Sequence, residues 1–169
     1  MKTAKSIIAA ALTLACTLTP IVANCASAKT NVYVDCRCSD PVGQHLCSDF
    51  KQSLRDSIAY ALVNNANNGY GIGVHYSCID LWNGIDPKLA GNMSAVSVAF
   101  TIYAQGLPGE MYDDSSVFRV GKDATKEMSR TIVSALGQIV NANAPFFNKM
   151  RAAALAPSPT PTPQVKYGE

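Results

Sequence analysis

The chain has 169 residues, 48% hydrophobic and 15% charged, with fourteen Lys and Arg against twelve Asp and Glu, and six cysteines. Such a balance, with no long basic run, excludes a nucleic-acid binder, because neutralising phosphates takes clustered Lys or Arg. The apolar content suffices for one packed core of ordinary domain size.

The first element in chain order is a leader. Lys2 and Lys5 form a basic start, an apolar run begins at Ile7, and Ala26-Ser27-Ala28 is a small-residue cleavage site. That order predicts a secretory signal peptide over 1–28, cut before Lys29. The unbroken apolar stretch ends near Ala15, short of the roughly 20 residues a spanning helix needs, and Pro20 and Asn24 interrupt the remainder. Neither Cys16 nor Cys25 stands in a lipid-attachment box. With Lys2 and Lys5 removed, the remainder carries twelve charges of each sign. It has no further apolar stretch long enough to cross a bilayer. The expectation is an exported protein, periplasmic or secreted, with one domain over 29–145. Four cysteines remain after cleavage, in a compartment where oxidation is the default.

Residues 31–38, NVYVDCRC, alternate strictly. Val32, Val34, Cys36 and Cys38 share one face of a strand and Tyr33, Asp35 and Arg37 the other. Asp40 is placed as an N-cap and Pro41 as a first helical residue. Leu46, Phe50, Leu54, Ile58, Ala61 and Leu62 follow at helical spacing, which predicts a helix over 41–64 ended by the Asn- and Gly-rich run after it. Residues 70–82 alternate again, with Ile72, Val74, Tyr76 and Cys78 on one face. After a loop, 93–105 place Val96, Val98, Phe100 and Ile102 together. A second loop, GLPGEMYDD, precedes a short strand around 115–120. A last helix starts near Lys122 and carries Ala124, Met128, Ile132, Leu136, Ile139 and Val140 on one stripe.

This order, β-α-β-β-β-α, predicts an α+β fold: a two-layer sandwich in which two helices cover one face of a four-stranded mixed sheet. Residues 146–169 read as a helical extension followed by a disordered Pro/Thr-rich tail. The prolines of 157–164 lack N–H donors and favour extended geometry.

A right-handed strand–helix–strand crossover makes the first two strands parallel and gathers all four thiols at one end of the sheet. A direct Cys36–Cys38 bridge strains the backbone. The pairing expected is therefore Cys38–Cys47 with Cys36–Cys78, the swapped pairing standing close behind it, since spacing does not fix connectivity. Cys36, Cys38, His45 and Cys47 would suffice for tetrahedral zinc, but their spacing is not that of the common zinc motifs. A redox pair lacks its Cys-x-x-Cys. Disulfide staples are the reading taken, with no metal and no cofactor.

No nucleophile elbow, zinc-protease helix or phosphate-cradling loop is present; the GYGIG of 69–73 lies in or beside a strand with no helix start after it. The uncovered sheet face is the candidate surface. Alternation puts Tyr33, Asp35, Arg37, His75, Ser77, Ser97, Thr101, Tyr103 and Arg119 there. Tyr33, Arg37, His75 and Tyr103 are its binding candidates, as Tyr and Arg recur at interaction hot spots.

The segments VYVDC, DPVG, LRDS, GIGVHYSCID and GNMSAVSV, spread over 31–102, resemble a group of short exported bacterial proteins of unknown function. At fold level the element order is similar to the amino-terminal domain of TolB-type envelope proteins. The resemblance implies an envelope setting and no catalytic residues. Two functions follow as expectations. The first is a non-enzymatic envelope module binding a protein, peptide or glycan through the open face or the tail. The second is a small secreted hydrolase or redox enzyme whose site is assembled from distant residues. Intact-mass measurement of the exported protein is expected to show a chain beginning at Lys29; a retained leader would refute the export reading.

Overall fold

The computed structural model describes residues 29–66, 69–105 and 107–155. The expected leader and the Pro/Thr-rich tail lie outside them. In chain order the elements are β1 (Thr30–Cys38), α1 (Pro41–Arg55), β2 (Tyr60–Val63), β3 (Tyr70–Asp80), β4 (Met93–Ala104), β5 (Met111–Gly121), α2 (Thr125–Ala142) and α3 (Ala144–Leu155). The strands form one mixed sheet in the order β2-β1-β3-β4-β5. β2, β1 and β3 run parallel, and β4 and β5 add to them antiparallel. The sheet therefore has five strands where the sequence pattern predicted four.

The additional strand, β2, occupies the end of the segment whose spacing predicts a single helix over 41–64. α1 stops at Arg55, and the backbone N–H of Asp56 closes its last turn onto Gln52 and Leu54. Ile58, assigned to the buried stripe, is 90% exposed. Ala61 and Leu62 instead sit in β2, paired with Asn31 and Val32 of β1. Short apolar runs fit either period, and here the open edge of β1 decided for a strand. At the other end, β5 begins at Met111, inside the segment read as a loop. A register shift facing Phe100 and Thr101 accommodates one extra β5 residue, Asp113.

Alternation along the strands builds the core. Val32 and Val34 of β1, Ile72, Val74 and Tyr76 of β3, and Val96, Val98, Phe100 and Ile102 of β4 are buried. They join Val42, Leu46, Phe50 and Leu54 of α1 and Ile132, Leu136 and Ile139 of α2 in one cluster. Phe147 of α3 enters the same cluster and lies against the ring of Tyr70. The first helix is anchored as its sequence suggests. Asp40 has extended backbone and accepts the N–H of Gly43 at 2.8 Å, with Pro41 at the first helical position. Buried Asp40 also accepts the hydroxyl of Ser94, at 3.2 Å, tying the start of α1 to β4. α1 and α2 are joined by Ser53 to Ser129 at 3.0 Å and by Thr125, donating to Asp49 at 2.7 Å.

Both bridges are present, but in the swapped pairing. Cys36 bonds Cys47 and Cys38 bonds Cys78, not Cys38 with Cys47 and Cys36 with Cys78. Register explains the difference. In the parallel ladder Cys38 stands directly opposite Cys78, with their Cα atoms 4.5 Å apart. Cys36 stands opposite Tyr76 and is left to reach up to Cys47 on α1, 6.4 Å away by Cα. Gly43 seals this corner: a Cβ there would sit 2.6 Å from the sulfur of Cys78.

Peptide mapping without reductant is expected to recover Cys36 with Cys47 and Cys38 with Cys78. Replacing Cys38 and Cys78 together by Ser should cost roughly 2–5 kcal/mol. The matching change at Cys36 and Cys47 should cost about 1 kcal/mol less on loop-entropy grounds, because that bridge spans 11 residues and the other 40. Equal losses in denaturant titrations would contradict that ranking.

Candidate functional site

The strand register orders the face opposite the core into cross-strand rows. Asn31, Gly71 and Tyr103 form one, Tyr33, Gly73, Thr101 and Tyr112 the next. Asp35, His75, Ala99 and Ser115 follow, then Arg37, Ser77, Ser97 and Val117, then Ile79, Ala95 and Arg119. On the central strands β3 and β4 this face carries the small residues Gly71, Gly73, Ser77, Ala95, Ser97 and Ala99, with the larger His75, Thr101 and Tyr103 set among them.

A chain of polar contacts crosses the middle rows. Arg37 donates through Nε to Asp35 Oδ2 at 2.9 Å. The same carboxylate oxygen lies 3.6 Å from His75 Nδ1. On the other side of the ring, His75 Nε2 lies 2.6 Å from Glu110 Oε2 and 3.2 Å from Thr101 Oγ1. Thr101 also donates its hydroxyl to Glu110 Oε2. An ionised carboxylate only accepts, so Nε2 carries the hydrogen shared with Glu110. Tyr33 sets its ring edge-on to that of His75, with centroids 6.1 Å apart. Side chains of Asp35, His75 and Glu110 keep between 24% and 30% of their surface accessible. Each is thus held in place and still reachable from solvent.

Two glycines make room for this arrangement. A Cβ on Gly73 would overlap Thr101 Oγ1 and stand 2.6 Å from Glu110 and 2.9 Å from His75. One on Gly71 would stand 2.6 Å from the hydroxyl of Tyr103. The glycines of GYGIG are therefore places where side chains from neighbouring strands lie down on the backbone, the close contact that glycine in a strand permits.

Of the candidates read from sequence, Tyr33, Arg37 and His75 come together in this cluster. Tyr103 does not belong with them as a surface group. It lies on the expected face but is only 2% exposed, laid across Gly71, and its hydroxyl is buried with no hydrogen-bond partner among the described residues. Burial, and then the nearby charge of Glu110, push its pKa up to about 12. Tyr103, Gln105, Leu107 and Glu110 border a cavity of about 350 Å³. Glu110 was missed altogether. It sits just before β5, where no periodicity marks it, and only the hairpin brings it over β3.

Elsewhere, His45 is exposed on α1 and Cys36, Cys38 and Cys47 are all bridged, so the zinc set weighed from sequence is not assembled. Among the described residues no group of three or more His, Cys, Asp or Glu is arranged to hold a metal ion, and no helix is long and apolar enough to cross a membrane.

Tyr103 gives the site a pH signature. A group whose pKa is raised in the fold contributes stability that is intact below its unfolded value, 10.0, and is lost as pH climbs towards about 12. Burial also raises Tyr60 and Tyr76, so they act in the same direction. Tyr103→Phe is expected to lose less stability than wild type across that window. At neutral pH it should be at least as stable, because it removes a buried hydroxyl that has no partner. Thermal melts of both proteins over the alkaline range check this, and a large loss at neutral pH would disprove it.

Neither protein-family models nor curated proteins give a match to this chain.

Proposed function

We propose that the protein is an exported, disulfide-stapled, non-enzymatic module that binds a partner through the sheet face opposite its core. On this reading the fold is a two-layer sandwich: the helices cover one face and the other is left for a protein, peptide or glycan of the envelope or the extracellular space. The observation that carries it is the chain Arg37–Asp35–His75–Glu110–Thr101, with Tyr33 beside it. These are partly exposed, orientated donors and acceptors fitted around glycines, on the face opposite the main core. A sheet face that merely meets water has no need of such fixed contacts; a binding surface does, since ordering its side chains beforehand lowers the entropy lost on association.

A second reading has one observation in its favour. Thr101, His75 and Asp35 stand in the order nucleophile, base and orienting carboxylate, with 3.2 Å and 3.6 Å between successive groups. Against it, the Nε2 hydrogen is committed to Glu110 and the Thr101 hydroxyl is donated to the same oxygen. Nε2 then has no lone pair with which to take the Thr101 proton, so the binding reading is preferred over a hydrolase.

Changing Tyr33 and Arg37 together to Ala is expected to leave stability within about 1 kcal/mol, as surface changes usually do. Arg37 is 80% exposed, and its pairing with Asp35 adds little in water. The same variant should weaken capture of the partner from an envelope extract by about 2 kcal/mol, the scale of Tyr and Arg anchors. Undiminished capture by a folded variant refutes the face as the binding surface.

A further inference from the structure

The two bridges differ in what surrounds them. Cys38–Cys78 is closed in at its Cys78 end: it spans adjacent parallel strands in register, Cys78 is 5% exposed, and Gly43 packs onto its sulfur, while Cys38 is partly exposed. Both cysteines of Cys36–Cys47, and Cys38 of the other bridge, border a cavity of about 320 Å³, which Lys51 and Arg55 also line. Cys47, Lys51 and Arg55 follow one another at intervals of four along α1 and so share a side of the helix. Among the described residues neither Lys51 nor Arg55 forms an ion pair. Two uncommitted cations therefore stand on the side of α1 that carries Cys47, one and two turns beyond it.

We propose that Cys36–Cys47 is a thiol-exchange site for small anionic thiols, while Cys38–Cys78 is the permanent staple. The cations draw a carboxylate-bearing thiol into the cavity. Its thiolate attacks Cys36, the more accessible residue of the pair, since Cys47 is 5% exposed. A new bond forms between the incoming sulfur and Cys36, the bond to Cys47 breaks, and Cys47 leaves as a thiolate beside Lys51. A second thiolate then attacks the incoming sulfur, releasing the symmetrical small-molecule disulfide and Cys36 as a thiolate. The sum is one protein disulfide and two thiols going to one protein dithiol and one small disulfide. Positive neighbours favour both the approach of the anion and the departure of the thiolate. Such exchange needs no Cys-x-x-Cys motif.

The test uses the native full-length protein at low ionic strength, with glutathione as the anionic thiol and cysteamine as the cationic one. Aliquots are acid-quenched and alkylated, and the labelled cysteines are located by peptide mapping, with rates expressed per thiolate. Cys36 and Cys47 should be labelled while Cys38 and Cys78 remain bridged and the circular dichroism is unchanged. Glutathione should react about ten-fold faster than cysteamine, and the ratio should fall towards one in the variant with Lys51→Gln and Arg55→Gln. If that variant folds poorly, raising the salt on wild type must compress the same ratio. Labelling of Cys38 and Cys78 first, labelling only upon unfolding, or a ratio indifferent to both the variant and salt overturns the proposal.

Discussion

The parallel register of β1 against β3 is the constraint on which the rest of the molecule depends. Because a strand has period two, a single choice of register settles what both faces of the pair present. With Val34 opposite Val74 and Asp35 opposite His75, the even positions of β1 carry apolar side chains and sulfur to the core. Its odd positions carry Tyr33, Asp35 and Arg37 to the other face. A slip of one residue would bury Asp35 and Arg37 without partners and expose Val32 and Val34, a change no small domain tolerates. The register is pinned at its far end by the bond between Cys38 and Cys78, which are cross-strand partners.

The same pinning explains why α1 is so firmly placed. The chain leaves β1 at Cys38 and must start a helix within two residues. Asp40 caps that helix while also accepting from buried Ser94 of β4. A buried carboxylate is costly unless fully engaged. Here it receives a backbone N–H and a hydroxyl, and a second hold follows at Cys47. The corner thus joins β1, β3, β4 and α1 by two covalent bonds and two hydrogen bonds, and sets Lys51 and Arg55 on the same side of α1 as Cys47.

Legibility from sequence follows the range over which each signal acts. Period-two alternation marked β1, β3 and β4, and the helical stripe of Ile132, Leu136 and Ile139 marked α2, because those patterns are local and span several turns or pleats. The N-cap at Asp40 was legible for the same reason. β2 was not, since Tyr60–Val63 is too short for its period to differ from that of the helix before it, and only pairing with β1 makes it a strand. The cysteine pairing depended on register, which belongs to two strands and not to one. Glu110 and the burial of Tyr103 depended on a hairpin folding over Gly71 and Gly73. Alternation correctly assigned Tyr103 to its face but carried no information on what would cover it.

One strand therefore serves both proposed sites, from opposite sides of its pleat. Cys36 lies between Asp35 and Arg37 in sequence, so whatever fixes its sulfur also fixes the backbone from which the polar chain starts. Opening Cys36–Cys47 would remove only the tie from β1 to α1. The ladder from Asn31 to Cys38 and the Cys38–Cys78 bridge would still hold Asp35 opposite His75. Exchange at the outer bridge and binding at the polar face are thus separable by construction.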